Sequence, residues 1–173
     1  GAHERYNVDV MLSLLDITPF HETIFMDSDV LRAQPCDLWH SELPRHHNQS
    51  VTVLGRNHDC TWHFGHICEI EKRNELRLPH THAGMMFLRK DAASAEFFAH
   101  AKTAAKLYWQ LGFRPFKQNG RALEPHWSYA FGKMDWVPIE FGVQLLLGFE
   151  WRPGEAVPPT LLRAAGGPEP HIG

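Results

Sequence analysis

The segment from Asp91 to Gly112 constrains this chain more than any other. Asp91 can accept hydrogen bonds from the free amides of a first helical turn. Apolar Phe97, Ala101, Ala104, Ala105, Tyr108 and Leu111 recur at helical spacing, and Gly112 stands where a helix would stop. A long helix with one apolar face needs a surface to bury it on, and the rest of the chain offers strands. Ile139, Phe141, Val143, Leu145, Leu147, Phe149 and Trp151 alternate without a break, which is the period of a strand. Val8, Val10, Leu12 and Leu14 alternate in the same way, so Tyr6 to Leu15 is expected to form the first strand.

Ser50 to Leu54 and Thr61 to Glu71 read as a hairpin around the turn residues Gly55 to Asp59. Leu78 to Leu88 reads as a further strand, with His80, His82, Gly84 and Met86 on one face and Thr81, Ala83, Met85 and Phe87 on the other. Thr18-Pro19 suits the opening of a helix toward Arg32, and Gln34 to Gln49 reads as loop. The resulting expectation is an α+β domain over residues 4–151, with a central antiparallel sheet of about five strands and helices packed on it. The Pro/Gly-rich residues 152–173 are expected to form a mobile tail.

A chain of 173 residues with 43% hydrophobic and 21% charged residues can bury one core without staples. No apolar run approaches the roughly 18 residues of a spanning helix, and no secretory signal is read at the N-terminus. Cys36, Cys60 and Cys68 are odd in number and make no CxxC pair, so neither a disulfide framework nor a thiolate zinc site is expected, and a reducing cytoplasm is the default compartment. The net charge of -3 argues against a protein coated in positive charge, although Arg73, Arg77, Lys102 and Lys106 could still form a local basic surface.

The most informative stretch runs from Ile67-Cys68-Glu69-Ile70-Glu71 to Leu78-Pro79-His80-Thr81-His82. Two histidines two apart on a strand share a face at about 7 Å, close enough for both rings to reach one ion. If residues 67–71 form the neighbouring strand, Glu69 or Glu71 could supply an oxygen ligand, leaving coordination positions open for substrate or water. Against this stands ordinary packing, because the chain has 13 histidines and a His-x-His pair also arises by chance. A cupin-like oxygenase using His80, His82 and a third histidine such as His126 is an alternative, although the glycine and glutamate that its motif expects are absent.

These residues resemble a family, the HUH endonucleases that initiate rolling-circle replication, especially those of filamentous phages and related prophages. The likeness lies in Ile67 to Glu71, the polar turn, Pro79-His80-Thr81-His82 with the apolar run after it, and the opening Tyr6-Asn7-Val8-Asp9-Val10. It covers about half of the chain. The resemblance implies a small antiparallel sheet, a magnesium or manganese ion and a tyrosine nucleophile on a downstream helix. It further implies a single-stranded DNA substrate that is nicked and rejoined through a 5′-phosphotyrosyl link. The third metal ligand would fall on Glu71, with Glu69 in reserve. Family members often show Tyr-x-x-Lys, whereas Tyr129 and Lys133 here are one residue further apart, and Trp127, Tyr129 and Phe131 alternate as a strand would. Tyr108, near Lys102 and Lys106, is the other candidate nucleophile. A binding domain that keeps the fold without the tyrosine chemistry is the third reading.

Overall fold

A computed structural model describes residues 8–27, 49–56, 60–62, 64–115 and 120–140. The chain opens as helix, not strand: residues 8–12 are helical and α1 (Leu14–Ile17) follows. The alternation misled because the same segment carries Val8, Met11, Leu12 and Leu15 at positions i, i+3, i+4 and i+7. That helical stripe is the one packed on the core, while Val10 is left exposed.

The expected helix after Pro19 is replaced by strand β1 (Glu22–Met26), where Thr23, Ile24 and Phe25 suit a pleated surface. The end of that expected helix, residues 28–32, lies outside the described residues. β1 pairs antiparallel with β5 (His80–Arg89), and β2 (Val51–Arg56) pairs antiparallel with the other edge of β5. Both β2 and β5 agree with the sequence expectation. β6 (Ile139–Glu140) adds a two-residue parallel bridge to β2. The described sheet is therefore three antiparallel strands with a short parallel addition, rather than about five. The long alternating segment beyond residue 140 and the expected tail lie outside the described residues.

Thr61 to Glu71 does not form one strand. A minimal hairpin, β3 (Thr61–Trp62) and β4 (Gly65–His66), turns straight into helix α2 (Ile67–Asn74). Gly65 at φ 148 adopts a backbone that side-chain-bearing residues rarely reach. Ile67 and Ile70, three apart, bury one helical face. Asn74 Nδ2 donates to Ile70 O at 2.7 Å, and Glu75, at φ 48, ends the helix in the left-handed region.

Helix α3 (Ala92–Leu111) is the predicted one. Asp91 accepts from Ser94 N at 2.9 Å in a capping box, and Gly112 closes it at φ 95. Helix α4 (Glu124–Met134), with Pro125 in its first turn, replaces the strand-like alternation of Trp127, Tyr129 and Phe131. All three of these side chains are buried because the helix is enclosed nearly all round. α3 and α4 pack on the sheet through Phe97, Phe98, Trp127 and Phe131 against Val51, Val53, Met86 and Leu88. A second cluster joins Trp62, Phe64, Ile67 and Leu78 to Tyr108 and Tyr129. The architecture is α+β.

Candidate functional site

The start of β5 is tied to its neighbours by polar bonds. Ser128 Oγ donates to Pro79 O at 2.7 Å, and Thr81 Oγ1 donates to Glu124 O at 2.8 Å, so α4 holds both sides of His80. Leu78 N donates to Glu71 Oε1 at 2.6 Å. The Glu71 carboxylate is thus used in bracing the turn between α2 and β5, a role that a helical position allows and the expected strand position would not.

His80 and His82 do share a face, since they pair with Arg56 and Leu54 of β2. The register then slips between Val53 and Leu54, so that Met86 pairs with Val53 on the helix-covered face. This bulge corrects the expectation that His80, His82, Gly84 and Met86 lie on one face, because an odd number of extra residues reverses the alternation. His80 is buried, and its ring lies 4.4 Å from that of Trp62. His82 is half-buried, and its Nδ1 accepts from Gly84 N at 3.1 Å. That bond selects the tautomer: the neutral ring carries its proton on Nε2 and presents a donor there, not a lone pair.

Glu69 is exposed on α2, not on a strand beside the histidines. Among the described residues, no three His, Cys, Asp or Glu side chains stand where they could share a metal ion. The magnesium or manganese ligand set of His80, His82, Glu71 and Glu69 is therefore not assembled. Glu71 serves a backbone amide, and His82 turns its lone pair to one. These residues do not fit the ion in this arrangement.

The tyrosines differ in kind. Tyr108 is fully buried; its hydroxyl donates to Arg114 O at 3.0 Å and lies 3.5 Å from Ala122 N. Burial raises its pKa above the ordinary value, opposed by the Ala122 amide, which is the reverse of what activates a nucleophile. Tyr129 is 8% exposed on α4, with Lys133 one turn further on and its Nζ 5.5 Å from the ring centre. His126, the third histidine of the cupin-like alternative, is buried on α4 with Nδ1 3.2 Å from Leu123 O and its ring 5.4 Å from that of Tyr108. Burial lowers its pKa to about 4. Of the basic residues, Lys102 pairs with Asp16 at 3.2 Å, while Arg73, Arg77 and Lys106 are exposed on or after their helices.

Two features escaped the sequence reading. Cys60 and Cys68, on either side of the β3–β4 hairpin, form a disulfide, which corrects the expectation that the cysteines offer no disulfide and removes the argument for a reducing compartment. The available signal was their spacing of eight residues, short enough for one tight hairpin to close. Asp27, exposed at the end of β1, donates its amide to Gly84 O at 2.9 Å and so brings an acidic residue alongside the bulge next to His82. An acidic residue directly after Ile24-Phe25-Met26 was its signal, hidden because that segment read as helix.

Among the described residues no helix is long and apolar enough to cross a membrane. Compared with known proteins, the chain matches no family model, no curated protein and no solved structure, so a functional reading has to come from the residues themselves.

Proposed function

We propose that this chain acts on a phosphodiester substrate, and specifically that it nicks and rejoins single-stranded DNA with Tyr129 as nucleophile. The observation that supports the reading is the placement of Tyr129 and Lys133 one turn apart on α4, a helix fastened to Pro79 and Thr81 on either side of His80. A tyrosine on a helix downstream of the histidine strand is what the resemblance to replication endonucleases implies. In the reaction the Tyr129 hydroxyl oxygen forms a bond to phosphorus and gives up its proton to solvent, while the bond to the 3′ oxygen breaks and that oxygen leaves as a hydroxyl with a proton taken from solvent. This leaves a 5′-phosphotyrosyl link that retains the energy for rejoining. Lys133 supplies positive charge beside the phenol. No step is routed through a metal ion.

One observation favours a second reading, a domain that binds single-stranded nucleic acid without tyrosine chemistry: Tyr129 is only 8% exposed. Both readings are separated by mixing the full chain with an end-labelled single-stranded oligonucleotide in Mn²⁺, Mg²⁺ or chelator and running a denaturing gel. The nicking reading expects a covalent adduct that Tyr129→Phe abolishes and Tyr108→Phe retains. Binding without an adduct under any condition favours the second reading, and neither binding nor adduct removes both.

A further inference from the structure

Strands β3 and β4 have two residues each, too few for their own hydrogen bonds to hold them. The hairpin is held by three other things. Ile67 N donates to Cys60 O at 3.2 Å; Trp62 and Phe64, their rings 4.9 Å apart edge to face, are buried in the second core; and the Cys60–Cys68 disulfide ties the two ends. The two Cα atoms are 4.9 Å apart, a separation that a disulfide spans readily. The hairpin in turn lays the Trp62 indole against His80, at 4.4 Å and 34° between planes, and His80 is 7% exposed beneath it.

We propose that the Cys60–Cys68 disulfide is a redox clasp on this cover: reduction by a dithiol loosens the β3–β4 hairpin, moves Trp62 off His80 and opens the imidazole to solvent and ligands. The placement of the two sulfurs suits this. Cys60 is exposed and open to attack, whereas Cys68 is half-buried in the first turn of α2, where the helix N-terminus favours a departing thiolate. A thiolate of the dithiol attacks Cys60 Sγ, forming a mixed disulfide and releasing Cys68 as thiolate. The second thiol of the reagent then displaces Cys60. Two electrons and two protons pass to Cys60 and Cys68, and the dithiol leaves as a cyclic disulfide. The inference concerns access to His80 and does not rest on the DNA-nicking reading.

The test uses the full chain, oxidised with glutathione disulfide or reduced with dithiothreitol. Alkylation of the denatured oxidised protein should label one of the three cysteines, Cys36, with Cys60 and Cys68 recovered as a linked peptide. Diethyl pyrocarbonate labelling, mapped by mass spectrometry, should modify His80 at least about fivefold faster in the reduced form, because local opening then limits access less. His126, buried on α4, serves as the internal control and should stay protected in both forms. A Cys60→Ser, Cys68→Ser double variant should label His80 quickly with or without dithiothreitol. Three labelled cysteines after oxidation would overturn the proposal, as would equal His80 rates in the two forms. So would a parallel rise at His126, which would show the disulfide holding the whole fold and not a local cover.

Discussion

Gly132→Ala sets local helix physics directly against tertiary packing. Gly132 lies within α4, where replacing glycine by alanine ordinarily stabilises by about 1 kcal/mol, since alanine has less backbone freedom to lose. The surroundings predict the opposite sign. A Cβ at this position would overlap the Arg77 carbonyl oxygen and lie 3.1 Å from Leu76 Cγ and Cδ1. The oxygen belongs to the backbone and cannot rotate away, so α4 would have to back off residues 76–79 by roughly an ångström in a closely packed interior. That movement stretches the buried 2.7 Å bond from Ser128 Oγ to Pro79 O. Losing the bond costs about 1–3 kcal/mol, and the residual overpacking about 1–3 kcal/mol more. After subtracting the propensity gain, the variant should lose about 3 kcal/mol. With a urea dependence of about 2 kcal/mol per molar, its unfolding midpoint should drop by about 1.5 M, read by circular dichroism. A midpoint equal to or above that of the parent protein would refute the close approach of α4 to residues 76–79, and with it the placement of Tyr129 near the histidine strand.

Burial keeps the His126 imidazole neutral down to about pH 4, whereas in the unfolded chain it takes up a proton near the ordinary histidine value of 6.5. Between those values the unfolded state binds more protons, so stability present above pH 6.5 should fall by about 3 kcal/mol toward pH 4. His126→Gln should flatten that part of the pH profile of urea midpoints, and identical slopes in the two proteins would contradict it. Burial pushes the Asp91 carboxyl up, but hydrogen bonds from Ser50 and the amides of Ser94 and Ala93, with the Arg89 charge, more than offset this and leave it below the ordinary value. Asp91→Ala should therefore destabilise the protein by about 1–2 kcal/mol at neutral pH through loss of the cap on α3. That penalty should shrink as the pH falls through the folded carboxyl's own pKa, and thermal melts at pH 7 and pH 2.5 check it.

What the amino-acid sequence determined by itself is what short-range chemistry decides. α3 was legible from end to end because Asp91, the apolar stripe and Gly112 each act within a turn of the helix. β2 and β5 were legible because β-branched and apolar residues bounded by turn residues have few other uses. The His80 and His82 pair was found on a strand, on one face, as its spacing required. Elsewhere the same letters allowed two periods. Residues 8–17 carry both an alternating and a helical stripe, and only the buried surface formed with Phe97, Phe98 and Trp127 selects the helix. Trp127, Tyr129 and Phe131 alternate like a strand, yet α4 is enclosed nearly all round, so its apolar residues need not keep to one side.

The candidate site was decided at still longer range. Once Ile67 to Asn74 is a helix, Glu69 and Glu71 leave the sheet, and Glu71 takes the Leu78 amide instead of standing beside His82. The bulge beside which His82 Nδ1 accepts from Gly84 N lies where the β2–β5 register slips, between the Val53–Met86 and Leu54–His82 pairs, a feature of strand pairing and not of local spacing. The meeting of Cys60 with Cys68 depends on the chain reversal between β3 and β4, and the approach of Asp27 to Gly84 on a strand that had read as a helix. Residue types and their spacing fix which groups are available. Which of them meet is set by the burial of apolar surface across the whole chain, and no local pattern carries that information.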